Sequence, residues 1–246
     1  MDTPVPTISA RNLPKHVGII LDGNGRWAQA RALPRAEGHR IGADAVRRVV
    51  RAARRLGLDV LTLYSFSVQN WNRPVEEVES LMYLLHDFLV SERDEILRNG
   101  IRLTSIGEPE RLPGFVRDTL VELVESSKNN DRMVLCLALS YGGREEILAA
   151  ARTLVRRATD GDPTLNGIDE ATFRALLPSV GPGDPDLIIR TGGELRLSNF
   201  LLWGSAYAEL YFTAKLWPDF GEEDLYAAIA DYQDRERRFG GVEPRR

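Results

Sequence analysis

One short segment constrains the fold of this chain more than any other. Val17 to Leu21 is an unbroken apolar run with the length and β-branched content of a strand buried on both faces of a parallel sheet. The run ends at Asp22, which is followed by the turn Gly23-Asn24-Gly25. Because open α/β sheets bind ligands at the carboxyl ends of their strands, we expect Asp22 to lie at a ligand site.

The same turn suits an anion. Its glycines leave backbone N–H groups free to face a phosphate, and Arg26 adds a guanidinium group. Asp22 alone would repel a phosphate, so we expect a divalent cation between the two. Mg²⁺ fits this position because it is usually held by one or two carboxylates together with phosphate oxygens.

Two other interpretations of the turn stay open at this point. Residues 23–28 match the G-x-G-x-x-A pattern of a dinucleotide-binding turn. Two observations argue against a dinucleotide-binding turn. Asp22 precedes the glycines. The pattern also requires a second strand that ends in an acid, but residues 41–57 at that place have the apolar spacing of a helix. The turn could also be structural and bind nothing.

Composition narrows the class of protein. The chain has 246 residues, enough for one α/β domain with a full core, and its net charge of −4 does not favour nucleic acid as a partner. The single cysteine, Cys136, excludes an intrachain disulfide framework and fits a reducing compartment. The sequence lacks an apolar stretch of membrane-spanning length and a signal-peptide pattern, so it predicts a cytoplasmic protein.

Hydrophobic patterning predicts an α/β fold: a single domain with a mainly parallel sheet of six strands surrounded by helices. The expected strands are residues 17–21, 60–66, 101–106, 133–139, 186–190 and 208–212. The expected helices are 41–57, 74–97, 112–126, 145–157 and a short one near 170–177, with a charged loop over 31–40. Residues 1–14 are predicted to be a flexible arm, followed by the domain at 15–241 and a tail at 242–246.

Polar and basic turns follow several of these strands. Besides residues 22–26, glycine turns with arginine occur at 141–144 and 190–196, and a polar, aromatic segment, 67–74, follows the second strand. Repetition of such turns at one sheet edge indicates a site for phosphate groups.

The helix predicted at 74–97 has an apolar face that could pack in the core or line an apolar channel. Glu209 interrupts an apolar run and needs a partner, for which an arginine and a metal are equally good candidates.

Together with Gly38-His39 and Trp217-Pro218-Asp219-Phe220, these segments resemble the cis-prenyltransferase family, which includes the bacterial undecaprenyl diphosphate synthases. The resemblance extends from about residue 14 to Arg238-Phe239-Gly240. It implies a homodimer, a hydrophobic tunnel, and Mg²⁺-dependent condensation of isopentenyl diphosphate onto an allylic diphosphate, commonly farnesyl diphosphate. The implied product is a polyprenyl diphosphate such as undecaprenyl diphosphate, a lipid whose release would allow peripheral contact with the inner face of the membrane.

The resemblance also implies roles for individual residues. Metal positions match Asp22 and Glu209, and the allylic diphosphate site matches Gly23, Asn24, Gly25, Arg26, Trp27, Arg35 and His39. The isopentenyl diphosphate site matches Arg190, Arg196 and Ser198, and a mobile lid with its hinge matches Phe66, Ser67, Asn70, Trp71, Arg73 and Glu77. Catalytic roles are implied for Asp22, Asn24, Arg26, His39, Ser67 and Asn70. The proton acceptor stays open among Asn24, His39, Ser67 and the released diphosphate, and the tunnel lining matches Ala43, Leu85, Ile101 and Met133.

Two positions depart from the common family pattern. Gln69 stands where many relatives have glutamate, and Leu195 stands where histidine or glutamine is frequent.

Two alternatives to a long-chain enzyme follow from the resemblance: a short-chain cis-prenyl diphosphate synthase, and a non-catalytic partner subunit of the same fold. The D-D-x-x-D motif of trans-type synthases and the G-x-x-x-x-G-K-[ST] motif of P-loop kinases are both absent from the sequence.

Overall fold

The structure, a computed structural model, describes residue 8 and residues 12–162 and 167–236. Its centre is one sheet of six strands in the order β3-β4-β2-β1-β5-β6, and every neighbouring pair of these strands is parallel. This confirms the predicted six-stranded sheet. The strands are β1 (His16–Ile20), β2 (Val60–Ser67), β3 (Ile101–Gly107), β4 (Met133–Tyr141), β5 (Leu187–Arg190) and β6 (Glu209–Phe212).

The strand β1 lies in the interior of the sheet, as its apolar run predicts. All five of its residues are buried. Alternate side chains enter two separate cores: Val17 and Ile19 pack into a large core with the leucines of β2, β3 and β4, whereas Ile20 packs against Phe200 and Leu201 on the opposite face. Burial on both faces explains why β1 is apolar after His16 instead of alternating.

Seven helices accompany the sheet in the described part of the chain. They are α1 (Asn24–Gln29), α2 (Arg35–Leu56), α3 (Val75–Arg98), α4 (Gly114–Ser127), α5 (Gly143–Thr159), α6 (Glu170–Arg174) and α7 (Glu222–Gln233). The loop predicted over 31–40 is wrong for residues 35–40, since α2 begins at Arg35. Gly38 and Gly42 weaken the helical pattern there, yet a Cβ atom at Gly38 would lie 2.1 Å from the carbonyl oxygen of Asn24. Glycine at this position therefore allows α2 to pack closely against α1.

The helix α7 has no counterpart in the sequence-based prediction. Its buried residues, Leu225, Ala228, Ile229 and Tyr232, have regular helical spacing, and three acids occupy its first turn. The signal was therefore present in the sequence. Most of the predicted arm and the whole of residues 237–246 lie outside the described residues. No helix of the described part is long and apolar enough to cross a membrane.

Candidate active site

Asp22 lies two residues after the end of β1 and between two arginines. Its Oδ2 atom accepts a hydrogen bond from Arg190 Nη2 at 2.9 Å, and its Oδ1 atom lies 3.1 Å from Arg26 Nη2. The Thr191 hydroxyl accepts the Asp22 N–H at 3.0 Å and donates to the Asp22 carbonyl at 2.7 Å. These contacts fix a carboxylate at the carboxyl edge of the sheet, where its side chain is 30% exposed.

Arg190 is the last residue of β5, and its side chain is only 4% exposed. Its Nη1 atom donates to Ser198 Oγ at 2.6 Å and to the carbonyl oxygen of Arg196. With the bond to Asp22, these contacts fix the plane of the guanidinium group. A guanidinium group held in this way presents the geometry that suits bidentate binding of a phosphate.

The other two cations between the β1 and β5 ends are each matched by an acid. Arg26 Nη1 donates to the Gly192 carbonyl at 2.5 Å and lies 4.0 Å from Glu194 Oε1. The second oxygen of Glu194 accepts from Arg196 Nη1 at 2.5 Å. The three arginines at this edge therefore share two carboxylates, Asp22 and Glu194, which a phosphate could replace as acceptors.

A second group of cations surrounds Glu77 in the first turn of α3. Glu77 Oε1 lies 3.0 Å from Arg73 Nη1, 3.3 Å from Arg35 Nη2 and 3.6 Å from His39 Nε2. Burial, aided by the positive charge of Arg73, lowers the pKa of His39 below its ordinary value of 6.5. This shift favours the neutral form of the His39 imidazole.

The segment after β2 closes one side of the site. It forms a short 3-10 turn, Val68–Asn72, and the Ser67 N–H donates to Asn70 Oδ1 at 2.9 Å. Trp71 packs edge-on against Phe66 with ring centroids 4.9 Å apart, and its Nε1 atom donates to Ser140 Oγ at 2.9 Å. The two aromatic side chains thus anchor the segment to β2 and β4.

Three cavities meet at this edge of the sheet. We call the first two the Arg26 pocket, of about 600 Å³, and the Arg190 pocket, of about 510 Å³; both are bordered by Asp22 and Arg73. The third, the apolar cavity of about 110 Å³, lies between α2, α3 and β4 and shares Asn24 and His39 with the Arg26 pocket. Of the predicted site residues, the Arg26 pocket contains Asp22, Gly23, Asn24, Gly25, Arg26, Arg35, His39 and Arg73. The Arg190 pocket contains Asp22, Ser67, Asn70, Arg73, Arg190 and Ser198.

Unsatisfied polar atoms concentrate at these pockets. In the described part of the chain, four buried side-chain atoms have no hydrogen-bond partner, and three of them are Asn24 Oδ1, His39 Nε2 and Arg190 Nε. A buried polar atom without a partner costs about 1–3 kcal/mol. Their clustering around two connected pockets is typical of a site that binds a polar ligand.

Several predicted site residues lie elsewhere. Trp27 borders neither polar pocket, because its Nε1 atom donates to Asp219 Oδ1 at 2.6 Å. The Arg196 guanidinium is 59% exposed and paired with Glu194. Phe66 borders the apolar cavity. Of the residues matched to the tunnel, Ala43 and Leu85 line the apolar cavity, and Ile101 lines a separate one next to it. Met133 pairs with Ile101 in the sheet and lines neither of these two cavities.

Glu209, the second predicted metal ligand, lies far from Asp22 within the chain. Strand register places Glu209 beside Leu187, which in turn lies beside Val17, five residues before Asp22. The two carboxylates are therefore separated by about 16 Å along the strand direction alone. Glu209 Oε2 accepts from Arg235 Nη1 at 2.9 Å, so its partner is an arginine. Within one chain, Glu209 and Asp22 cannot bind the same ion.

Three residues of the site were missed by sequence reasoning. Thr191 holds the backbone of Asp22, Tyr64 lines the Arg190 pocket from β2, and Asn199 borders the same pocket from the loop after Arg190. Thr191 directly follows a predicted strand end, which is a usable signal. Tyr64 is indistinguishable in sequence from a core residue of a buried strand. Asn199 depends on loop geometry that no local pattern encodes.

This α/β fold places two arginine-lined pockets beside an apolar cavity at the carboxyl edge of its sheet. A protein-family model described as "Putative undecaprenyl diphosphate synthase" matches residues 20–240. The chain belongs to this cis-prenyltransferase family, and it is a prenyl transferase.

Relatives named "Isoprenyl transferase" match over nearly the whole chain. The protein from Rhodopirellula baltica is 48% identical over 240 residues, which cover 98% of each chain. The one from Heliobacterium mobile is 47% identical over 235 residues, 96% of this chain and 90% of that protein.

Solved structures show the same fold. Lavandulyl diphosphate synthase from Lavandula x intermedia, in complex with dimethylallyl diphosphate, has a TM-score of 0.89 and 41% identity, covering 93% of this chain and 98% of that one. A "probable undecaprenyl diphosphate synthase" from Campylobacter jejuni has a TM-score of 0.77 and 30% identity, covering 93% and 99%.

Proposed function

We propose that this chain condenses isopentenyl diphosphate sequentially onto an allylic diphosphate, with farnesyl diphosphate as primer and undecaprenyl diphosphate as product. One observation carries the proposal: two arginine-containing pockets share Asp22 and Arg73, and the Arg26 pocket shares Leu21, Asn24 and His39 with the apolar cavity. An allylic diphosphate needs a diphosphate pocket joined to space for its hydrocarbon tail. Isopentenyl diphosphate has a short tail, which fits the Arg190 pocket.

The reaction needs the charge distribution that these residues provide. The C–O bond of the allylic diphosphate breaks while a new C–C bond forms to isopentenyl diphosphate, so negative charge grows on the departing diphosphate. Arg26 and Arg35 border the pocket proposed for that group. Cations held in place before the reaction stabilise the growing charge without a cost of reorganisation. Arg190 and Ser198 hold the second substrate in line.

Asp22 fits a magnesium ion that arrives with a diphosphate. In the described residues no group of three or more His, Cys, Asp or Glu could hold a metal by itself. One partly buried carboxylate next to a phosphate pocket suits Mg²⁺, which commonly takes most of its ligands from phosphate oxygens and water. When bound, the ion would neutralise the leaving diphosphate. Asp22 would then exchange both of its arginine partners for the ion, which would release Arg26 and Arg190 to bind phosphate oxygens.

Carbon–carbon bond formation also requires loss of a proton from isopentenyl diphosphate. Ser67 borders the Arg190 pocket, on the side proposed for that substrate, whereas Asn24 and His39 border the Arg26 pocket. A neutral His39 can accept a proton or hydrogen-bond a phosphate. The segment 67–73 would act as a lid that excludes water, which would otherwise capture the allylic cation.

A short-chain synthase is the second candidate because of one side chain. Phe88 is 7% exposed and borders both the apolar cavity and the neighbouring cavity of about 280 Å³. In this position it limits how far a hydrocarbon tail can extend between α2 and α3. A homodimer, a cytoplasmic location and peripheral membrane contact during product release are further parts of the proposal, supported by membership of the family.

The function is tested with the purified chain alone. Incubation with Mg²⁺, farnesyl diphosphate and labelled isopentenyl diphosphate, followed by lipid extraction and sizing, should give labelled undecaprenyl diphosphate. Chelation of Mg²⁺ should abolish the label in the lipid fraction. A product with one or two added units would favour the short-chain synthase, and no product from the purified chain would favour a non-catalytic partner subunit.

A further inference from the structure

The loop beside the Arg190 pocket has an uncommon backbone. Ser198 and Asn199 have φ values of 49° and 67°, in the left-handed region that residues other than glycine rarely adopt. Asparagine tolerates this conformation better than most residues. Since Ser198 Oγ accepts from Arg190 at 2.6 Å, the strained backbone and the phosphate-facing guanidinium are directly linked. Two consecutive residues of this kind require a contact that holds them.

Asn199 supplies that contact through three bonds to the start of α5. Its carbonyl oxygen accepts from Gly143 N–H, its Oδ1 from Arg144 N–H, and its Nδ2 donates to Glu145 Oε2, each at 2.8 Å. A backbone N–H can only donate and a carboxylate can only accept. The two ends of the amide therefore cannot exchange places, and the orientation of Asn199 is fixed.

The space around this contact is closed. A Cβ atom at Gly142 would lie 2.1 Å from Glu145 Oε2 and 2.6 Å from Asn199 Nδ2. Residue 142 must therefore be glycine for the carboxylate and the amide to meet. Glu145 itself lies outside the Arg190 pocket, in a cavity with Tyr141 and Glu146.

We infer that Glu145 is a positioning residue that orients Asn199 and thereby sets Ser198 and Arg190 for the second diphosphate. The inference rests on the proposed function where it names isopentenyl diphosphate as the ligand of the Arg190 pocket. The Arg26 pocket has no part in this contact, because neither Asn199 nor Glu145 borders it. Loss of the contact should therefore weaken one substrate and spare the other.

The test uses a repulsion that a second substitution can remove. Asn199→Asp keeps an oxygen for the Arg144 N–H but places a second carboxylate oxygen 2.8 Å from Glu145 Oε2. We expect the KM for isopentenyl diphosphate to rise about tenfold or more, because two like charges then face each other where a hydrogen bond stood. The KM for farnesyl diphosphate should stay within about twofold. Adding Glu145→Gln should restore the isopentenyl diphosphate KM, since the glutamine amide can donate to the new carboxylate.

Controls separate positioning from loss of folding. Asp118→Asn removes an exposed acid on α4 that contacts only its neighbour Arg117 among the described residues, and it should change neither KM. Thermal unfolding of every variant is measured alongside. If Asn199→Asp does not fold, Glu145→Ala provides the same comparison, because it removes the acceptor without adding repulsion.

Three results would overturn the inference: equal increases in both KM values, no rescue by Glu145→Gln, or a lowered unfolding temperature with both KM values unchanged. Failure of the proposed function gives a different pattern, in which the unsubstituted chain forms no product. In that case calorimetric binding of inorganic diphosphate replaces KM as the readout. Weaker binding by Asn199→Asp with rescue by Glu145→Gln would still support the positioning role, and unchanged binding would overturn it.

Discussion

Replacement of Phe88 by alanine should lengthen the product. Phe88 separates the apolar cavity from the neighbouring cavity, whose apolar part contains Val50, Ile96, Ile101 and Leu135. Eight residues of α3 separate Phe88 from Ile96, so removal of the ring extends the path for a hydrocarbon by about 12 Å. Space of that length accommodates additional isoprene units, and the product distribution should shift to longer chains.

The same substitution should cost stability. Truncation of a buried phenylalanine to alanine typically lowers the free energy of unfolding by about 3–5 kcal/mol. We expect a value near the lower end, because the Phe88 ring already faces cavities on two sides and makes fewer contacts than a fully packed side chain. Urea unfolding provides this number, and product sizing is done at a temperature where the variant is folded.

Two further variants decide whether Phe88 acts as the barrier. Leu84→Ala enlarges the apolar cavity without opening the one beyond it, so it should not reproduce the shift. Val50→Trp combined with Phe88→Ala refills the second cavity and should shorten the product again. An unchanged product distribution in Phe88→Ala, with the fold intact, would refute the reasoning.

Three other perturbations have defined outcomes. Arg190→Lys keeps the charge but replaces the planar fork by a single ammonium group that cannot bind a phosphate in the bidentate manner. The loss of one charge-assisted hydrogen bond to the phosphate, about 1.5–3 kcal/mol, should raise the KM for isopentenyl diphosphate at least tenfold. An unchanged KM would contradict the assigned role. Burial lowers the pKa of His16 below 6.5, so the unfolded chain binds a proton that the folded chain does not. The free energy of unfolding should therefore fall as pH drops below about 6.5, by at most about 1.4 kcal/mol per pH unit for this group. Urea unfolding at pH 7 and 5.5 should show a smaller fall for His16→Gln than for the unsubstituted chain. An equal fall in both would exclude His16 as the cause. Gln69→Glu adds a negative charge to the Arg190 pocket and should raise the KM for isopentenyl diphosphate several-fold with kcat retained, whereas a lowered KM would show that the charge aids binding.

Much of the sheet could be predicted because it is buried on both faces. Strands such as β1 and β4 are apolar along most of their length, and the polar residues that end them mark the functional edge. Parallel pairing then brings the ends of β1, β2 and β5 together, which places Asp22 and Arg190 within hydrogen-bond distance. The composition of the strands and of the residues that follow them was sufficient to predict this part of the site.

The remaining features of the fold and the site depend on contacts between residues far apart in the sequence, and local patterns did not predict them. The position of Glu209 depends on the register of β6 against β5, which the composition of either strand leaves open. The start of α2 was obscured by glycines whose purpose is close packing against α1. The role of Asn199 depends on a contact with Glu145, 54 residues away. Each of these three misses reflects a tertiary contact that overrides a local preference.

The assignment of Asp22 to the metal, and of the arginines to the phosphates, is tested by the turnover of Asp22→Ala, measured beside the unsubstituted enzyme at saturating Mg²⁺ and both diphosphates. We expect kcat to fall about a hundredfold or more, with diphosphate binding retained and the fold intact. A substituted enzyme that turns over at the rate of the unsubstituted one would contradict this assignment.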